Sequence, residues 1–219
     1  FMSSTKKGIS ALEMQRQLGH KRYRTIWVLM HKIREGMGKR DDKYNLNGAI
    51  ELDEGYFEVA SPNITKLKRG RGSQSKTNVA VMAESTPLED VETGKKSSQF
   101  RYAKMKALKT HNADEINGVA SDNIDNQSLI ITDKSTSYEN FSALFDTYVS
   151  FKSNKETTKT SLKWVHVTIS NAKRNLLGVY HTIKNEYLQN YLNEFCYRLN
   201  RRGFGENLFN RMVVAVAGI

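Results

Sequence analysis

Asp53, Asp133 and Asn171 are oxygen-bearing side chains that three different elements could bring together. Asp53 lies in the strand-like run Ala49-Ile50-Glu51-Leu52-Asp53-Glu54-Gly55-Tyr56-Phe57. Asp133 ends the apolar run Leu129-Ile130-Ile131-Thr132, just before Lys134-Ser135-Thr136-Ser137. Asn171 opens a helical pattern, Ile169-Ser170-Asn171-Ala172-Lys173-Arg174-Asn175-Leu176-Leu177-Gly178. Carboxylates from two strands and an oxygen from a late helix suit hard divalent cations. Two such ions serve magnesium-dependent cutting and joining of phosphodiester bonds. Spacing alone is weak support, because a chain of this length holds many carboxylates.

Neighbouring groups sort by direction. Glu51 shares the sheet face of Asp53 at i−2 and is a candidate fourth ligand, whereas Glu54 points the other way. Asp122 and Asp125 read as loop carboxylates. A lone Asp at a strand end is commonly a turn starter, so Asp133 gains its weight from Asp53. On the late helix, Arg174 at i+3 shares the face of Asn171 and is placed near the reacting phosphate. Lys173, at i+2, is placed on flanking backbone. His166 and His181 could assist, and a structural role for each is equally open.

Charge is uneven along the chain. Thirty-four Lys and Arg against 23 Asp and Glu give +11, a balance that favours a polyanionic partner. Residues 1–48 carry 11 basic and 4 acidic side chains, residues 49–150 carry 12 and 15, and residues 151–219 carry 11 and 4. A mildly acidic centre between basic flanks fits a metal-binding middle bordered by phosphate-binding surfaces. Cys196 is the only cysteine, which excludes an intramolecular disulfide and a cysteine-based zinc site. No apolar run reaches the ~18 residues of a membrane helix, and the expectation is a cytoplasmic protein.

The elements follow from periodicity. Ser10-Ala11-Leu12-Glu13 is a capping box that starts a short helix ending near Leu18-Gly19. A second helix is expected from Tyr23 to Met37, with Ile26, Leu29, Met30, Ile33 and Met37 on one stripe. The pair resembles a helix-turn-helix, with Lys21, Arg22 and Arg24 placed to contact DNA. Strands are expected at Ala49–Phe57, Asn78–Ala83, Phe100–Met105, Ser128–Thr132 and near Trp164–Val167. Helices are expected at Ala113–Ala120, Tyr138–Phe145, Ile169–Leu177, Tyr187–Asn200 and Glu206–Ala217. The segment from Lys66 to Lys76 holds five basic residues and no acid; its glycines would let Arg69, Arg71 and Lys76 approach phosphate. The order is mixed α/β and matches the ribonuclease-H-like fold, a five-stranded sheet flanked by helices. Residues 1–47 form the helix-turn-helix segment and 48–219 the catalytic domain.

Several of these stretches together resemble a known family. They are Glu51-Leu52-Asp53-Glu54-Gly55-Tyr56-Phe57-Glu58, Lys68-Arg69-Gly70-Arg71-Gly72-Ser73, Ile131-Thr132-Asp133 and Val165-His166-Val167-Thr168-Ile169-Ser170-Asn171-Ala172-Lys173-Arg174. The stretches Leu176-Leu177-Gly178-Val179-Tyr180-His181 and Tyr191 to Arg202 complete them. They resemble the bacterial insertion-sequence transposases of the DDE type with asparagine third, the ISXO2-like transposases, over about residues 8–212. The resemblance implies two Mg²⁺ or Mn²⁺ ions on Asp53, Asp133 and Asn171. It also implies transposon-end and target DNA as partners, and a homo-oligomer on DNA. Family members usually begin with a four-cysteine zinc ribbon, which this sequence lacks, so a fragment or shortened form is expected. Two other functions stay open: a DNA-binding remnant that no longer cuts, and a ribonuclease-H-like nuclease.

Overall fold

The computed structural model describes residues 1–3, 7–60, 75–110, 112–138, 140–152 and 160–218. Arg69 and Arg71 lie outside the described residues. Five strands form one sheet: β1 (Ala49–Glu58), β2 (Lys76–Glu89), β3 (Lys96–Ala107), β4 (Leu129–Asp133) and β5 (Thr147–Phe151). Their order is β3-β2-β1-β4-β5. The pairs β1–β2 and β2–β3 are antiparallel, while β1–β4 and β4–β5 are parallel. An antiparallel meander continued by parallel strands is the ribonuclease-H-like arrangement.

Alternation along β1 and β2 divides the core. Phe57, Val79, Val81 and Ala83 face one side, where they pack on helix α5 (Lys163–Tyr180) and helix α6 (Asn185–Asn200). Ile50, Leu52, Ala80 and Met82 face the other side, against α3 (Ala113–Asn123) and α4 (Phe141–Leu144). Strand β2 is therefore buried on both faces, as its unbroken apolar run predicts.

Helix α1 (Ala11–Gln17) begins where expected, with the Ser10 hydroxyl accepting the Glu13 N–H at 3.1 Å. Helix α2 runs further than its periodicity suggests, from Tyr23 to Asp41. Leu29 is not on its buried stripe; it is 48% exposed. Arg34 occupies an inner position instead and donates to Glu194 on α6 at 2.7 Å, both being buried. Gly38 allows this approach, since a Cβ there would collide with the side chain of Asn193. Met14, Ile26, Met30 and Met37 share one core with Tyr197 and with Leu208 and Met212 of helix α7 (Asn207–Ala217). The first two helices thus pack directly on the C-terminal ones.

One expected strand is a helix. Trp164–Val167 belongs to the first turn of α5, and the fifth strand is Thr147–Phe151. Val165, Val167 and Thr168 are β-branched, which suggests a strand locally. The buried set Val165, Ile169, Ala172 and Leu176 has helical spacing, and burial on the sheet decides the outcome. Asn171 consequently sits in mid-helix rather than at a helix start. Among the described residues no helix is long and apolar enough to cross a membrane.

Candidate active site

The β1–β4 ladder ends at the pair Glu51 and Ile131. Two residues further along the same parallel register stand Asp53 and Asp133, on adjacent strands and one sheet face. The two carboxylates are near enough for the charge of Asp133 to act on Asp53. Asp53 Oδ1 accepts the backbone N–H of Glu54 at 2.7 Å, which fixes the group's orientation. Burial first, with the Asp133 and Glu54 carboxylates adding, pushes the Asp53 carboxyl up to about 6, against that hydrogen bond. Each carboxylate makes it harder to charge the other, a repulsion that a cation would relieve.

Helix α5 supplies the third group. Nε2 of His166 lies 3.7 Å from Oδ2 of Asp53. Burial holds the imidazole below its usual pKa, and the Asp133 carboxylate opposes that shift. Gly55 brings the helix down onto β1: a Cβ there would meet Phe57 at 3.0 Å and Ile169 at 3.3 Å. Lys173, seven residues after His166, returns to within about 20° of it around the helix. Its ammonium stands 5.5 Å from the Phe57 ring, on the β1 side.

Asn171 is placed differently. Five residues after His166, it lies about 140° around the helix from it. Its side-chain oxygen accepts from Arg174 at 2.7 Å. The structure therefore sets His166 beside Asp53, with the Asp133 carboxylate acting electrostatically on both from the adjacent strand and Lys173 two turns along, and it turns Asn171 and Arg174 to another flank. The sequence expectation starts this helix at Ile169, which leaves the flank on which His166 sits undefined; the observed start is Lys163. Reading 163–177 as one helix would have placed His166 and Lys173 on one edge of the buried stripe.

Glu51 shares the Asp53 face as expected, but it does another job. Its Oε2 accepts the backbone N–H of Trp164 at 2.6 Å and of Val165 at 2.9 Å. These are free donors of the first turn of α5, so a sheet carboxylate caps the helix that carries His166. Burial pushes the Glu51 carboxyl up to about 7 against those two hydrogen bonds. Glu54 points to the opposite face, where Asn78 donates to it. Glu194 is committed to Arg34, and His181 ends α5 on the surface with φ of 53°.

The donor types fit a divalent ion. Carboxylate oxygens suit Mg²⁺ and Mn²⁺, and an imidazole nitrogen shifts the preference towards Mn²⁺. As the side chains stand, no three His, Cys, Asp or Glu among the described residues are close enough to hold an ion. Lys21, Arg22 and Arg24 are exposed around the α1–α2 turn, which is tied by Gln15 donating to the His20 carbonyl at 3.0 Å. Lys76 is exposed at the start of β2, opposite Glu58.

Residues 45–200 match the ISXO2-like transposase domain, and the chain belongs to that family. No curated protein matches it. Among solved structures, a pre-cleavage Mos1 transpososome is 13% identical with a TM-score of 0.37, covering 86% of this chain and 62% of that chain. The Mos1 transposase paired-end complex with left transposon end is 12% identical with a TM-score of 0.39, covering 86% and 61%. This chain spans less than two thirds of the length of those solved chains.

Proposed function

We propose that this chain is a transposase that cuts DNA at the ends of an insertion sequence and joins those ends to target DNA. Asp53, Asp133 and His166 would hold the divalent ions, with His166 in the place that sequence reading gave to Asn171. The observation that carries the reading is His166 at 3.7 Å from Asp53, with Asp133 acting electrostatically on both from the next strand, within a family of transposases. When bound, two Mg²⁺ or Mn²⁺ ions supply an activated water or 3′-hydroxyl and stabilise the leaving oxygen.

The chain's own residues supply orientation and charge. Asp53, held by the Glu54 N–H, and Asp133 offer oxygens from rigid strands. His166 offers a nitrogen whose protonation burial disfavours. Lys173 is placed to take a phosphate oxygen of the strand being cut, which its exposed ammonium can reach without crossing the cleft. Lys21, Arg22 and Arg24 would contact the transposon end, and Lys76, with Arg69 and Arg71, the flanking backbone. Assembly as a homo-oligomer on DNA belongs to the same reading.

The test is cleavage of duplex DNA carrying the element's terminal sequences, with Mn²⁺ or Mg²⁺ added. Metal-dependent nicking at the ends, lost in Asp53→Asn, is the expected result. Binding of those ends without any nicking in either metal would favour a DNA-binding remnant. Cutting of an RNA–DNA hybrid in preference to duplex ends would favour a nuclease.

A further inference from the structure

At the end of the sheet remote from Asp53, between the segment leading into β1, strands β2 and β3 and the C-terminal ends of α2 and α6, lies a cavity of about 690 Å³. Asn47 at its rim precedes Asp53 by six residues, a separation on the order of 20 Å along an extended strand. The proposed cutting chemistry does not use this cavity.

Its walls combine guanidinium groups with aromatic rings from separate elements. Arg40 lies over the Tyr44 ring at 5.2 Å, Arg101 over Tyr102 at 5.7 Å and Arg211 over Phe204 at 3.7 Å. The rings stay open, Tyr44 being 52%, Tyr102 41% and Phe204 38% exposed. Positive charge is in excess. Arg201 is taken up by Asp41 at 2.6 Å, and Glu84 stands 3.7 Å from Arg101. Among the described residues, neither Arg40 nor Arg211 has a carboxylate within salt-bridge distance.

Aromatic faces beside cations are what unpaired nucleic acid requires: bases stack on the rings while guanidiniums take phosphates. A duplex keeps its base faces stacked on one another, so it cannot use the rings. We propose that this cavity binds a short unpaired segment of DNA, at a site separate from the carboxylates. The idea rests on the transposase reading only for the source of the strand, since cutting and joining free single-stranded ends.

The experiment is fluorescence anisotropy of the full chain with a labelled oligothymidylate of about eight nucleotides, in EDTA and low salt. Tyr102→Ala and Phe204→Ala should each weaken binding about 5- to 100-fold, with circular dichroism unchanged. Arg101→Gln and Arg211→Gln should each flatten the log–log salt slope by about 0.7. An abasic strand of equal length should bind as weakly as the oligothymidylate binds the ring variants. The proposal is overturned if both folded ring variants bind within about twofold of the parent. It also fails if the abasic strand binds equally well, or if polyglutamate displaces the oligothymidylate as effectively as unlabelled strand does. Asp53→Asn separates the two readings. Cleavage lost with no effect of the ring variants defeats only the cavity. Cleavage retained, with the ring effects intact, defeats only the metal chemistry.

Discussion

Nε2 of His166 stands 3.7 Å from Oδ2 of Asp53, joining the helix α5 to the strand β1 at the point where β1 stops pairing with β4. Asn171 faces elsewhere and is occupied by Arg174. The two candidates for the third ligand therefore make different demands on mutagenesis. His166→Ala should lower Mn²⁺-dependent nicking by more than about 100-fold, while Asn171→Ala should change it by less than about tenfold. Nicking rates of the two variants decide this. The opposite ranking would return the third position to Asn171.

Asp53→Asn and Asp133→Asn each remove a charge that would hold a cation. Both should abolish nicking, yet leave duplex binding within about threefold, because phosphate contacts come from the basic surface. Mn²⁺ titration followed by calorimetry should show the same loss without DNA present. A variant that loses nicking but keeps full Mn²⁺ affinity would place its carboxylate outside the metal site.

Glu51 tests structure against ligation on one residue. Glu51→Ala leaves the first-turn N–H groups of Trp164 and Val165 without their acceptor, in a site that is 4% exposed. Urea unfolding should show a loss of about 1–3 kcal/mol. Glu51→Gln keeps a carbonyl oxygen there, so it should recover most of that stability and keep nicking. If Glu51→Gln were fully stable but inactive and weak for Mn²⁺, Glu51 would be a fourth ligand after all.

Local chemistry made much of this molecule readable beforehand. Ser10 and Glu13 announced the first helix, and the apolar run of β2 announced a strand covered on both faces. The strand positions of Asp53 and Asp133 were equally plain. The fifth strand was not. Thr147–Phe151 is a short, half-exposed edge with little apolar alternation, whereas Val165-His166-Val167-Thr168-Ile169 has the β-branched content of a strand. Only packing on the sheet reveals it as helix, and with that the side of α5 that meets Asp53. Similarly, the side-chain direction of Glu51 followed from alternation, but its helix-capping partner is 113 residues away and leaves no local trace.

The basic groups should differ in what they recognise. Lys21 and Arg22 are exposed at the turn before α2, whose first turns also expose Arg24, Thr25, Val28 and Leu29. Neutralising the three cations should weaken binding to the element's ends more than to random duplex. Neutralising Arg69, Arg71 and Lys76 should weaken both alike, with about 0.9 lost from the salt slope per phosphate contact. Titrations at several salt concentrations measure both effects. Equal losses on both duplexes from both sets would remove any sequence-reading role from the α1–α2 turn.

The buried pair of Arg34 and Glu194 ties α2 to α6, so its removal should be felt at a distance. Arg34 also lies 4.3 Å from the Tyr191 ring, and Arg198 stands 3.5 Å from the second Glu194 oxygen. Arg34→Met leaves the Glu194 charge buried beside Tyr180 and Arg198 without its closest cation, which should cost about 3–5 kcal/mol in urea unfolding. Adding Glu194→Leu removes that stranded charge, so the double variant should be more stable than Arg34→Met alone. Because α2 follows the basic turn, Arg34→Met should also loosen end binding more than it lowers nicking of DNA already bound. Simple additivity of the two substitutions in a double-mutant cycle would show that Arg34 and Glu194 are not coupled.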